Sequence, residues 1–116
     1  MNTKRQSQLE AMIKRNFSLV LQQEGSAIYG NEPLVTVTNV AVSPDLSIAK
    51  IYLSVFNMED KQALIDVMEN AQVKAKLRYV LGQRLRNNIR KIPQLHFFLD
   101  DTLDEMEKLN KLFDGL

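Results

Sequence analysis

Apolar positions recur along this chain with two different periods, and the changes of period mark its elements. In residues 5 to 24, Leu9, Met12, Ile13, Phe17, Val20 and Leu21 return at steps of three and four, which predicts an amphipathic helix stopped at Gly25. GSAIYGNEP, residues 25 to 33, reads as a linker with two glycines and Pro33. LVTVTNVAV, 34 to 42, and IAKIYLSVF, 48 to 56, read as strands rich in β-branched residues. Ser43-Pro44-Asp45-Leu46 between them is a turn, so the two strands form an antiparallel hairpin. In the second strand Ala49, Ile51, Leu53 and Val55 face inward, and Ile48, Lys50, Tyr52, Ser54 and Phe56 face outward.

From Asp60 to Lys91 the pattern is helical again, but its apolar stripe changes face. At about 100° per residue, Val67, Met68 and Ala71 fall within ~60° of Leu64. Val73, Leu77 and Val80 fall on the opposite side of the same wheel. One straight helix cannot bury both stripes against one sheet. A break is therefore expected between about Glu69 and Ala75, giving two helices, the second ended by Pro93. QLHFFLD, 94 to 100, reads as a third strand with Leu95, Phe97 and Leu99 on one face. Thr102 is placed to cap a short last helix from Leu103 to about Phe113.

The expected order is α-β-β-α-α-β-α, an α+β single domain over residues 1 to 116. Three strands form a sheet packed by helices on one face, with strands two and three parallel through a helical crossover.

Charge changes this picture at one place. No Asp or Glu occurs between Glu69 and Asp100, and that interval holds Lys74, Lys76, Arg78, Arg84, Arg86, Arg90 and Lys91, seven of the fifteen Lys and Arg residues. The net charge of +1 hides a basic block followed by an acidic C-terminal stretch. A solvated helix face is the ordinary explanation of a charge run, but solvated helices interleave both signs and this one does not. On the second helix Ala75, Arg78, Tyr79, Gly82 and Arg86 share a side away from Leu77 and Leu81. Small residues flanked by guanidinium groups and a ring suit a phosphate backbone with a stacking partner. Close helix packing is the competing use of Ala75 and Gly82, and Arg84 sits near the apolar stripe.

Candidate chemistry adds little. There is no Cys, which excludes disulfides and thiolate metal sites. His96 stands alone and reads as an ordinary strand residue; no cofactor, metal or small-molecule substrate is expected. The polar N-terminus carries no secretory h-region, and no apolar run reaches the ~20 residues of a membrane span, so a cytoplasmic location without a membrane partner is expected.

Three pieces of the chain carry a family resemblance. VTNVAVSPDLSIAKIYLSVF (37 to 56) contains Ser43, Asp45, Leu46 and Ala49 in a Ser-x-Asp-Leu-x-x-Ala pattern between strands. LGQRLR (81 to 86) is a basic stretch late in the second helix, and IPQLHFFLDDTLDEMEKLNKLF (92 to 113) carries a Pro-x-Leu-x-Phe-x-x-Asp strand. In this order they resemble ribosome-binding factor A, a bacterial family with a type II KH-like fold. The Ala-x-Gly kink of that family would fall here on Val73-Lys74-Ala75, with alanine in place of glycine, and Asn87-Asn88 resembles a short insertion. The resemblance implies a non-enzymatic assembly factor, monomeric when free, that binds the small (30S) ribosomal subunit and its 16S rRNA during late maturation. It also implies help in processing the 5′ end of that RNA, and a role in cold adaptation. Combined with the charge pattern, the expected RNA-binding residues are Lys74, Lys76, Arg78, Tyr79, Gly82, Arg84, Arg86, Arg90 and Lys91. The alternative is a protein-interaction module whose basic helical face meets an acidic partner.

Overall fold

The central strand is β2 (Ile48–Phe56), which pairs antiparallel with β1 (Leu34–Val42) and parallel with β3 (Gln94–Leu99) in the order β1-β2-β3. The computed structural model describes residues 2–100. Three helices complete this part of the chain: α1 (Lys4–Tyr29), α2 (Lys61–Glu69) and α3 (Ala71–Leu85). The α+β order, the hairpin and the parallel pairing of β2 with β3 are those expected. The helix expected from Leu103 to Phe113, with its Thr102 cap, lies outside the described residues.

The core follows the strand alternation. Ala49, Ile51, Leu53 and Val55 of β2 are buried, and they meet Leu9, Ile13, Phe17 and Val20 of α1. Phe17 stacks on Phe97 of β3 with ring centroids 5.5 Å apart. β1 carries a bulge: pairing passes from Val37↔Leu53 to Asn39↔Tyr52, leaving Thr38 over. The extra residue moves the inward positions from Val35 and Val37 to Val40 and Val42. Thr38 Oγ1 donates to Asp100 Oδ2 at 2.6 Å, which links the bulge to the end of β3.

α1 runs past its expected stop. Gly25 is buried inside the helix, and the Tyr29 ring lies back over it; a Cβ there would stand 2.2 Å from the Tyr29 hydroxyl oxygen. The helix ends at Gly30, whose φ of 84° is left-handed and whose N–H bonds Ser26 O at 3.0 Å. Gly25 is thus a seat for an aromatic ring four residues on, and AIY belongs to the helix, not to a linker. At the other end Thr3 and Gln6 form a capping box. Gln6 Nε2 donates to Val42 O (2.9 Å) and Glu10 Oε2 accepts from Val42 N (2.8 Å), which ties α1 to the outer edge of β1.

The helix break falls at Asn70. Its ψ of 135° is not helical, its N–H closes α2 onto Val67 O, and its side-chain oxygen accepts the N–H groups of Gln72 and Val73. The break lies within the interval that the apolar phase required, but Val73-Lys74-Ala75 runs as regular α3 helix, so the resemblance placed the kink too late. The stripe of α2 also differs: Leu64, Ile65 and Met68 are buried, whereas Val67 is 42% exposed. Counting Ala71 into the first stripe drew it toward Val67, yet Ala71 opens the next helix. In α3, Leu77, Leu81 and Leu85 are buried, with Val73 and Val80 packed at the margin.

α3 stops at Leu85, well before Pro93. Asn88 N and Ile89 N both turn back onto Leu85 O, and Asn87-Asn88 has weak helix propensity. Arg90 and Lys91 accordingly lie on a loop, not on a helix.

Candidate nucleic-acid interface

β3 is an edge strand, and its free edge faces the side of α3 that carries arginine. The space between them is a groove of about 810 Å³. Ala71, Lys74, Ala75, Arg78, Tyr79, Gly82 and Gln83 line it from α3, Arg86 from the C-cap of that helix, Ile92 from the loop before β3, and Gln94, Leu95 and His96 from β3 itself. The break at Asn70 sets this geometry, because it ends α2 and restarts the chain as α3, which lines the groove from Ala71 to Gln83.

The side chains of the groove divide by what they already hold. Arg78 donates from Nε to Pro93 O at 3.1 Å and from Nη2 to Ile92 O at 2.6 Å, which fixes the loop leading into β3. Lys74 pairs with Glu69 and sits 6.0 Å over the Phe97 ring. Gly82 takes the Ile92 side chain against the helix; a Cβ there would meet Ile92 Cγ1 at 3.2 Å. Tyr79 is 67% exposed, and its hydroxyl oxygen accepts from Gln83 Nε2 at 2.8 Å. Arg86 is exposed at the mouth of the groove and makes no ion pair among the described residues.

Of the nine residues expected to touch RNA, Lys74, Arg78, Tyr79, Gly82 and Arg86 come together in the groove. Lys76 turns toward α1, where its Nζ lies 3.5 Å from Glu24. Arg84 also turns to α1: its Nε donates to Asn16 Oδ1 at 3.3 Å, and it lines a separate hollow with Arg15 and Asn88. Arg90 and Lys91 are exposed on the loop between α3 and β3 and do not line the groove. Sequence reasoning passed over His96, Gln94 and Gln83. The signal for the first two was that β3, joined by a crossover to the middle strand, must be an edge whose flank faces the intervening helices.

Among the described residues no group of three or more His, Cys, Asp or Glu side chains is placed to hold a metal ion. None of their helices is long and apolar enough to cross a membrane. What the groove offers is guanidinium and ammonium groups, one exposed ring and an apolar floor, a constellation for holding an extended anionic ligand.

Fold and groove together define a small α+β binding module built on a helix-break-helix beside a sheet edge. The chain belongs to the ribosome-binding factor A family, whose model matches residues 5–113. It is 37% identical over 105 residues to ribosome-binding factor A of Cytophaga hutchinsonii, covering 90% of this chain and 76% of that one. Identity to the Flavobacterium johnsoniae protein of the same name is 34% over 116 residues, covering 99% of this chain and 87% of the relative. The crystal structure of ribosome-binding factor A from Thermus thermophilus shares the fold, with a TM-score of 0.66 at 23% identity over 81% of this chain and 94% of that one. A homology model of the Thermus thermophilus protein, fitted into a cryo-EM map of its 30S complex, has a TM-score of 0.62 at 27% identity and covers 81% of this chain and 93% of that one.

Proposed function

We propose that this chain is a non-enzymatic assembly factor that binds the small ribosomal subunit and its 16S rRNA during late maturation and assists processing of the RNA's 5′ end. The observation that carries the reading is the groove between α3 and the β3 edge, with an exposed Arg86 that makes no ion pair among the described residues, in a chain of the ribosome-binding factor A family. The fitting of a 27% identical relative into a 30S complex supports the choice of partner.

The mechanism is binding. Arg86, Arg90 and Lys91 meet phosphates, Tyr79 offers a ring to a base, and Arg78 and Gly82 keep the groove wall in place. Backbone shape and phosphate spacing select the ligand more than base identity does.

Cosedimentation with purified small subunits over a series of salt concentrations tests this. The chain should travel with the subunit, and log affinity should fall linearly with log salt, by about 0.7 to 0.9 per phosphate neutralised. Failure to cosediment at about 50 mM salt would overturn the reading.

A further inference from the structure

The three described helices pack on one face of the sheet, and among the described residues the other face presents two cross-strand rows. The β-ladders align Ala41, Lys50 and His96 in one row, and Asn39, Tyr52 and Phe98 in the next. In the second row Tyr52 and Phe98 are neighbours, with ring centroids 5.4 Å apart and planes inclined by 27°. Phe98 is 41% exposed, although it belongs to the strand whose alternate residues Leu95 and Phe97 are in the core. Lys50 is exposed beside the pair. An aromatic pair flanked by an ammonium group is the surface on which single-stranded nucleic acid stacks a base, the cation meeting the adjoining phosphate.

This surface is continuous with the groove. His96 and Gln94 line the groove. By strand alternation they share the outward face with Phe98, two residues from His96 and about 7 Å further along the strand. That step is on the order of one nucleotide of extended chain. A strand held by Arg86 and Tyr79 therefore passes His96 at the β3 edge and reaches the ring pair without a gap.

We infer that the Tyr52–Phe98 pair is a stacking platform for a base of a single RNA strand that leaves the groove across the β3 edge. The inference rests on the RNA-binding reading of the groove and adds a second contact of a different kind. Groove contacts release counterions and set the salt dependence. The platform contributes affinity through stacking and leaves the salt slope alone.

The test uses the whole chain and a single-stranded oligouridine of about five nucleotides, short enough that sliding by one position forfeits a contact and the register is held. Phe98→Leu should weaken binding about tenfold with an unchanged salt slope, and Phe98→Tyr should bind like the parent. An abasic site moved along the oligonucleotide should cost about tenfold at one position with the parent and nothing at that position with Phe98→Leu. The scan on the parent chain requires no substitution, so it decides the matter even where Phe98→Leu folds poorly. A flat scan, or Phe98→Leu binding as tightly as the parent, overturns the platform while Arg86→Glu still reports on the groove. No binding of the oligonucleotide by the parent chain at low salt overturns the platform together with RNA binding by the groove.

Discussion

Glu69 accepts the backbone N–H of Phe97. This single contact joins the last turn of α2 to the free edge of β3. An edge strand exposes unpaired backbone groups, and here one of them is satisfied by a carboxylate that also pairs with Lys74 of the next helix. Glu69 thereby fixes three elements at the break: the end of α2, the start of α3 and the strand beneath.

Glu69→Ala should lower unfolding free energy by about 1 to 2 kcal/mol in urea titration, since a charge-assisted bond is lost and the Phe97 N–H is left without its partner. Glu69→Gln keeps an acceptor and should cost less than half of that. Equal losses for the two substitutions would show that the charge, through Lys74, matters more than the bond to the strand.

Gly25 reverses a common rule. Glycine to alanine inside a helix usually stabilises by about 1 kcal/mol. Here the new Cβ would meet the Tyr29 ring, 2.2 Å from its oxygen and 2.6 Å from Cζ. Gly25→Ala should therefore give no gain in thermal stability in the parent chain, and should restore the usual gain when combined with Tyr29→Ala. A stabilised Gly25→Ala single variant would mean that the ring moves aside at no cost.

Most of the fold was legible because β2 and β3 keep a clean period, whereas the bulge at Thr38 breaks that of β1. Ala49, Ile51, Leu53 and Val55 could face only one way, and Val73, Leu77 and Val80 could not share a face with Leu64. The break at Asn70 followed from that conflict of phase. Its exact position did not, because Asn70 acts through cap geometry, ending one helix and starting another within one residue. The end of α1 was misread because Gly25 looks like a stop signal, and its real role depends on Tyr29 one turn later. In the groove, the shared side of Arg78, Tyr79, Gly82 and Arg86 was readable from the wheel. The division of labour among them was not: whether an arginine is free or bonded to carbonyls depends on where Ile92 and Pro93 lie. His96 was passed over because being an edge residue is a property of the sheet.

The hairpin turn predicts a pH dependence. Asp45 accepts from Ser47 Oγ (2.7 Å), Ser43 Oγ (2.8 Å) and Ser47 N (3.1 Å). These bonds, the Ser47 hydroxyl foremost, hold its carboxyl down at about 2 from an ordinary value of 3.8. Depression means that the folded turn prefers the carboxylate. The contribution is present above about pH 4 and is lost as pH falls toward 2. An NMR titration should place the Asp45 midpoint near 2, and Ser47→Ala should raise it. The turn also holds Leu46 at a φ of 63°, with its side chain against the core, so loosening at low pH should appear first in the Leu46 and Ser47 amides.

Arg78 and Arg86 share one side of α3 but should fail in different ways. Arg78 is bonded to the carbonyls of Ile92 and Pro93, so Arg78→Ala leaves two acceptors without partners and loosens the loop before β3. The expected loss is about 1 to 3 kcal/mol of stability, with weakened RNA binding as a consequence of the moved wall. Arg86 is exposed and makes no ion pair among the described residues. Arg86→Glu should leave the melting temperature within about 1 °C of the parent, because surface charges away from structural bonds contribute little to stability. It should nonetheless reduce affinity for small-subunit RNA and flatten the salt slope by about one unit, as one phosphate contact is replaced by repulsion. Melting curves and salt-dependent binding on the two single variants separate these roles. If Arg86→Glu binds with the parent's affinity and slope, the groove mouth is not where the RNA backbone passes.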